Sequence, residues 1–236
     1  MPDPRALNAT ELQAFVDEHL STLIEEEALL VLANRFCNAK IAAAIASEPR
    51  LTSYGSVRAA LVRHRATPQA HAVKFVHYLD WPVLLRFSVD TTVPAPVRRA
   101  IDLQMLARLS KLALGIKIAS ARSCSRELLK ALLVDPSPRV FGALLWNSRM
   151  TEDDLLAHIG SGRATGSQIT LVAAHPKWSF RIPLRKAIVL SPNAPKSVAA
   201  SQLPHLSAFD LQQIARNPQV SVYLKRVIER LPGRGR

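Results

Sequence analysis

The sequence predicts an all-α fold in which short helices stack as a right-handed superhelical solenoid of about five repeats of about 40–44 residues. The first observation is an internal repeat, since a shift of 127 residues places Val57-Arg58 on Leu184-Arg185 without a gap. Weaker copies occur at 97, 140 and 224, so valine or leucine markers recur at steps of 40, 43, 44 and 40 residues. Periods in this range are typical of helical solenoids. The second observation is composition, because aromatic residues are only 6% of the chain and 16 prolines can separate many short helices.

The first 50 residues are expected to form capping helices. Asn8 and Glu11 have the spacing of a capping box, and apolar residues then recur at three- and four-residue steps through Ile24. Further apolar runs cover 28–33 and 41–46. The segment holds 8 acidic and 4 basic residues, and such a polar outer face suits the open end of a stack.

One repeat unit is predicted to contain three short helices. The first carries the Val57 marker and breaks near 64–67, the second begins at Pro68, and the third follows a turn at 80–82. Proline costs no hydrogen bond at the first helical position, so Pro195 is predicted to begin the matching helix of the later copy.

We expect a single α-solenoid domain over residues 1–236, because isolated repeats of this kind cannot bury their apolar faces. Residues 1–50 would cap it, 51–230 would form the repeats, and 231–236 would be a frayed basic tail. Further capping-box spacings indicate helix starts at Thr151 with Asp154 and at Ser207 with Asp210.

The formal net charge of +13 is unevenly distributed. The first 50 residues have a balance of −4, while the remaining 186 hold 27 bases and 10 acids, a balance of +17. A basic body favours an anionic partner such as an acidic protein, a nucleic acid or a membrane surface. The alternative is that the bases simply cover solvated helix faces.

Two cysteines and the absence of long apolar runs set further limits. Cys37 and Cys124 lack the clustering of a metal site, and we expect both to be reduced and buried in a cytoplasmic protein. No apolar run approaches 18 residues, so we expect no membrane-spanning helix, and the first residues do not resemble a signal peptide. No cofactor is expected, and the oligomeric state is open.

Two sets of motifs resemble known repeat families. The segments Val57-Arg58-x-Ala60, Val97-Arg98-x-Ala100 and Leu184-Arg185-x-Ala187 resemble the second-helix signature of HEAT-like repeats. Ser191-Pro192-Asn193-Ala194-Pro195 and Arg216-Asn217-Pro218 resemble the asparagine-proline junctions of bacterial leucine-rich repeat variant proteins. The resemblance covers about residues 28–230 and implies a HEAT/armadillo-like α-α superhelix, a bacterial source and a protein-binding role. Some leucine-rich repeat variant proteins carry an iron–sulfur cluster on a cysteine-rich leader, but here only Cys37 lies in that region, so no cluster is expected.

A column of cations is the first candidate binding feature. Arg58, Arg98, Arg185 and Lys225 occupy one position in four copies, and Phe141 replaces the cation in the remaining copy. HEAT-like repeats often place an aspartate six residues earlier, but the residues found there are Thr52, Thr92, Ser179 and Gln219. Only Asp135 supplies the acid, in the copy that lacks the cation. The guanidinium groups are therefore available either to carbonyl groups within the stack or to an outside anion.

Other bases lie on the same predicted helices: Arg63, His64, Arg65, Arg99, Arg108, Lys111, Lys117, Arg122, Lys186 and Arg226. From both sets, the candidate partner-binding residues are Arg58, Arg98, Arg185, Lys225, Arg63, Arg99 and Arg226. Such a strip could follow a phosphate backbone. Aromatic residues that would stack on bases are scattered, which weakens the nucleic-acid interpretation.

The residues with catalytic potential do not form a recognisable site. Trp81, Trp146 and Trp178 are expected to pack in the core or at its lip. Alkylpurine DNA glycosylases of the HEAT-like type use tryptophans and an aspartate, but the residues four positions after these tryptophans are Leu85, Met150 and Ile182. The seven histidines lack metal-ligand spacing, and Asp153-Asp154 is explained as a helix start.

The leading functional hypothesis is a non-catalytic interaction scaffold that binds an acidic or extended protein segment along a basic groove. The alternative is a nucleic-acid-binding protein, possibly a relative of the HEAT-like-repeat DNA glycosylases, and a third reading is an enzyme of another kind. If the column contacts a partner, replacing Arg58 and Arg185 together by alanine should weaken binding more than it lowers the melting temperature. Unfolding of that double variant would instead assign both arginines to internal hydrogen bonding.

Overall fold

The structure, a computed structural model, describes residues 3–231. Over these residues it contains seventeen α-helices, one short 3-10 helix and no β-strand, which confirms the all-α class. The chain divides into two compact units, the first ending at Leu112 and the second beginning at Ala113. The single solenoid domain over 1–236 stays a prediction, and residues 232–236 of the expected tail lie outside the described residues.

The helices are short, and most are seven to eleven residues long. In the first unit they are α1 Ala9–His19, α2 Glu25–Ala33, α3 Ala39–Ser47, α4 Pro49–Thr52, α5 Gly55–Arg63, α6 Gln69–Val76, α7 Trp81–Val89 and α8 Ala95–Leu109. In the second unit they are α9 Leu114–Ala121, α10 Arg126–Leu133, α11 Pro138–Leu144, α12 Glu152–Gly160, α13 Gly166–Ala174, α14 Ile182–Leu190, α15 Lys196–Gln202, a 3-10 helix Leu203–His205, α16 Ala208–Arg216 and α17 Val222–Glu229.

The five apolar markers occupy one position in five helices. Val57, Val97, Val140, Leu184 and Leu224 are the third residues of α5, α8, α11, α14 and α17, and none is more than 5% exposed. We call these five the marker helices. One period of the sequence repeat therefore spans three helices. The first of the three is a marker helix, which buries its valine or leucine.

All five marker helices pack against the two helices that precede them. In the first unit α5 contacts α3 and α4, and α8 contacts α6 and α7. In the second unit α11 contacts α9 and α10, α14 contacts α12 and α13, and α17 contacts α15 and α16. Apolar faces are thus buried between elements that are close in sequence, as nearest-neighbour stacking requires.

Seven of the described α-helices are followed directly by an extended residue instead of a left-handed glycine. Seven residues that directly follow a helix have ψ between 108° and 133°: Asn34, Glu48, His64, Asp90, His175, Ser191 and Asn217. Within residues 3–231 only Gly162 has a positive φ, 72°. Because any residue adopts the extended conformation, these positions can carry polar side chains that hydrogen-bond to the turn.

Three expected helix boundaries are wrong, namely the end of α1 and the starts of α6 and α15. The first helix was expected to run to Ile24, but α1 ends at His19 and Ile24 is 54% exposed, while Leu23 is buried from within the following turn. Pro68 and Pro195 are the residues before α6 and α15, with ψ of 133°, so each helix begins one residue later than predicted. Apolar spacing alone does not distinguish a helical turn from a buried connection.

Several local predictions are confirmed. Asn8 and Thr151 form capping boxes with Glu11 and Asp154, and Ser207 caps α16. Both cysteines are buried. No helix within the described range is long and apolar enough to cross a membrane.

Candidate partner-binding site

Two arginines of the predicted column hydrogen-bond to the chain itself. Arg58 donates from Nη1 to the carbonyl oxygen of Thr52 at 3.2 Å, and Arg185 donates from Nε to that of Ser179 at 2.7 Å. Both acceptors lie six residues earlier, where HEAT-like repeats often place an aspartate. The Arg58 guanidinium also lies over the ring of Tyr78, 5.5 Å from its centre. These contacts favour internal hydrogen bonding over contact with an outside anion.

The other candidate cations have different environments. Arg98 and Lys225 are half-buried, and the Nε atom of Arg98 is buried without a hydrogen-bond partner. Arg63 pairs with Asp90 at 3.1 Å. Arg99 and Arg226 are exposed. The seven candidates therefore do not share one environment.

Asp135, the acid in the copy that lacks the column cation, has a partner from another helix. Lys117 of α9 lies 3.0 Å from it, and both side chains are largely buried. The sequence did not reveal this pair, because its members are 18 residues apart, one on α9 and the other in the turn after α10.

The second unit carries most of the net charge. From Ala113 onward the sequence has 18 lysines and arginines and 7 aspartates and glutamates, which gives a net charge of +11. The residues up to Leu112 have 13 basic and 11 acidic residues, which gives a net charge of +2. Five of the seven acids in the second unit pair with bases there: Asp135 with Lys117, Asp154 with Arg126, Glu127 with Lys130, Glu152 with Arg181, and Asp210 with Lys186. Few carboxylates remain to balance the other cations.

One of these ion pairs also shifts the pKa of its carboxyl group. The Lys186 ammonium, 2.6 Å from Asp210, and then the Ser207 hydroxyl hold the pKa of Asp210 below its ordinary value. Asp210 therefore stays ionised while it connects α16 to α14.

A first cleft of about 560 Å³ lies in the first unit between α2 and the end of α5. Its lining includes Arg63, His64 and Arg65 together with Leu29 and Leu32. Burial lowers the pKa of His64, whose Nδ1 is buried without a hydrogen-bond partner. Because Arg63 is already paired with Asp90, this cleft offers less free positive charge than its composition suggests.

A second cleft of about 470 Å³ lies in the second unit across α9, α11 and α13. Its lining includes Ile118, Arg122, Arg139, Trp146, Leu171 and His175. Both arginines are exposed, and none of the lining residues carries a carboxylate. The cleft therefore combines positive charge with an apolar wall, which suits an anionic ligand that also has an apolar part.

The three tryptophans differ in burial. Trp178 is 3% exposed and its Nε1 donates to the carbonyl oxygen of Leu145 at 3.1 Å, so its predicted core position is confirmed. Trp81 is half-buried. Trp146 is 63% exposed and forms a lip of the second cleft, in agreement with the second of the two predicted positions.

Sequence reasoning missed most of the second cleft. Arg122 was noted as a base, but Arg139, Trp146 and His175 were not proposed as partner contacts. No local spacing joins these residues, which come from three helices and the turns that follow them. Comparisons with known protein families, with curated proteins and with solved structures found no match to this chain.

Proposed function

We propose that this protein is a non-catalytic interaction scaffold that binds an acidic, extended segment of a partner protein through its second unit. The observation that carries this proposal is the net charge of +11 in that unit, where five of seven carboxylates are already in ion pairs. Surface cations without nearby acids create a positive potential that attracts anionic partners and speeds association.

We also propose that each unit is a short stack of HEAT-like or leucine-rich-repeat-variant helical repeats within an α-α superhelix. Support comes from the buried marker at the third position of five helices and from the packing of each of these helices on the two helices before it. The hydrogen bonds of Arg58 and Arg185 to carbonyls six residues earlier add a third recurrence.

A protein ligand is favoured over a nucleic acid for two reasons. A phosphate-following surface needs a continuous row of available cations, but Arg58 and Arg185 are hydrogen-bonded to backbone carbonyls. The second cleft has an apolar wall that suits a peptide side chain, and it exposes one tryptophan instead of a series of stacking rings.

The test compares two polyanions under identical conditions. A labelled glutamate-rich peptide and a labelled random single-stranded oligonucleotide are titrated with the full chain over a range of salt concentrations. We expect saturable binding of the peptide, and only weak oligonucleotide binding that is lost near physiological salt. Tighter oligonucleotide binding at physiological salt, with log affinity falling steeply with log salt, would overturn the proposal in favour of nucleic-acid binding.

A further inference from the structure

His175 accepts a turn hydrogen bond that Asp or Asn side chains accept in several other turns. In the turns after α7, α10 and α16, the side chains of Asp90, Asp135 and Asn217 accept a hydrogen bond from the amide two residues on, each at 2.9 Å. After α13, Nδ1 of His175 accepts the corresponding bond from the Lys177 amide at 3.1 Å. The imidazole of His175 therefore accepts a hydrogen bond for which a carboxylate or an amide side chain is sufficient.

The other ring nitrogen of His175, Nε2, takes no part in the turn hydrogen bond. Because Nδ1 is an acceptor, the neutral ring carries its proton on Nε2, which is buried and has no hydrogen-bond partner. The side chain is only 6% exposed and lines the second cleft. Burial, followed by the charge of Lys177, lowers the pKa of His175 and keeps the ring neutral at neutral pH. A buried N–H donor without a partner is costly, so an acceptor that enters the cleft would be stabilised there.

Trp146 supplies an exposed apolar surface directly beside this donor. Its ring lies edge-on to that of His175, with 4.5 Å between ring centres, and the residue is 63% exposed. Ile118 and Leu171 continue the apolar wall from α9 and α13. Exposed tryptophans beside grooves are typical anchors for partner side chains.

Two arginines complete the cleft. Arg122 follows α9 and Arg139 lies in the first turn of α11, and both are exposed at its edge. Arginine binds carboxylates through two parallel hydrogen bonds, so these residues can hold acidic side chains on either side of an apolar one.

We propose that the second cleft is a peptide-binding site for an acidic protein segment that carries one large apolar residue, an inference that rests on the proposed function. The apolar side chain packs on Trp146 and Leu171, the neighbouring carboxylates pair with Arg122 and Arg139, and a backbone carbonyl of the segment accepts from Nε2 of His175. Charge complementarity and the apolar wall together select this class of ligand over a uniformly polar polyanion.

Gly142 of α11 provides a matched pair of variants. It lines the cleft, and a Cβ atom added there would lie 3.7 Å from Cδ1 of Leu171, an ordinary contact. Gly142→Ala is therefore tolerated and removes the helix penalty of glycine. Gly142→Glu places a bulky carboxylate between the arginines and the apolar wall, so it blocks the cleft sterically and by charge.

The experiment titrates the full chain with two labelled glutamate-rich peptides that differ only in one central residue, phenylalanine or alanine. We expect the phenylalanine peptide to bind about tenfold tighter, the effect of burying part of one aromatic side chain. Trp146→Ala should reduce this preference to less than about twofold, and Gly142→Glu should abolish measurable binding of both peptides, while Gly142→Ala shows that a side chain at this position leaves the melting temperature unchanged. His175→Asn keeps the turn acceptor, as Asn217 does, and should weaken both peptides about threefold.

The outcomes separate this inference from the proposed function. Equal affinity for the two peptides, or a preference that survives Trp146→Ala, would overturn the apolar part of the site while leaving the acidic-segment scaffold in place. Failure of both peptides to bind at low salt would overturn both proposals. Melting curves of each variant show whether a loss of binding comes from unfolding, and the exposed position of Trp146 makes unfolding unexpected for Trp146→Ala.

Discussion

Single polar side chains hold many of the turns of this protein together. Asn147 is fully buried, and its Nδ2 donates to the carbonyl oxygens of Ala121 at 2.8 Å and Cys124 at 3.4 Å, while its Oδ1 accepts from the amide of Arg149 at 2.9 Å. Arg185 acts similarly on the Ser179 carbonyl. Buried carbonyl groups at helix ends need donors, and these side chains supply them.

Arg185→Ala should lower the stability of the protein more than its affinity for an acidic peptide. The substitution leaves the half-buried Ser179 carbonyl without its donor, at a cost of about 1–2 kcal/mol. Urea unfolding and peptide titration of the same variant test this, with Arg226→Ala on the exposed side of α17 as the control. A large loss of binding with unchanged stability would return Arg185 to the partner-binding surface.

The stability of the protein should fall as the pH drops below about 6.5, the ordinary pKa of histidine, in part because of His175. In the unfolded chain this histidine titrates near 6.5, whereas burial and Lys177 lower its pKa in the folded chain. The unfolded state therefore binds the proton first, and stability is lost as the pH falls below the unfolded value until the folded pKa is passed. Lys177, Arg122 and Arg139 are the charged groups that face the ring or share its cleft, and all three oppose protonation.

His175→Asn is the control for this pH effect. It should flatten the dependence measured by urea unfolding at several pH values, although His64, whose pKa burial also lowers, leaves a residual slope. An identical slope in the variant would show that His175 does not contribute.

At the scale of the helices, the recurring element is a marker helix packed on the two helices before it. The connections matter as much as the helices, because each helix of about two turns is too short to be stable alone. A side chain that reaches from one connection to another therefore stabilises more than its own turn. Asn193 shows this, since its Nδ2 donates to the carbonyls of Gly162 at 2.8 Å and Ala164 at 3.0 Å, about thirty residues earlier.

Asn147→Ala should destabilise the second unit by about 2–3 kcal/mol, since two buried carbonyls and one amide lose their partner. Asn217→Ala is the matched control, because within residues 3–231 its recorded side-chain bond is the turn bond from the Gln219 amide, and we expect a cost of about 0.5–1 kcal/mol. Urea unfolding monitored by circular dichroism measures both. Equal costs would mean that the bonds to Ala121 and Cys124 add nothing beyond the local turn.

At the scale of the whole molecule, charge is separated along the chain. The acidic leading helices nearly balance the bases of the first unit, while the second unit keeps a net charge of +11. Such an asymmetry attracts anions to one part of the protein more than to the other, and the effect weakens with salt.

Arg139→Glu and Lys74→Glu change the total charge equally but in different units, so they separate local from global electrostatics. Arg139→Glu should weaken binding of an acidic peptide by about tenfold or more at low salt, and Lys74→Glu, on the exposed side of α6, by about twofold. Titrations at low and physiological salt provide the measurement. Equal losses for the two variants would show that net charge alone drives binding.

The amino-acid sequence by itself determined the all-α class, the spacing of the marker helices, the capping residues Asn8 and Thr151 and the burial of both cysteines. These features depend on periodicity and on contacts within a few residues, which a linear sequence displays directly. Only the tertiary structure decided that Arg58 and Arg185 hydrogen-bond to the chain, that Lys117 balances Asp135, and that Arg122, Arg139, Trp146 and His175 line one cleft. The two arginine bonds span only six residues, but the packing of the short helices decides whether each guanidinium meets that carbonyl or an outside anion. The other contacts join side chains from different helices or turns, and no local spacing encodes their geometry.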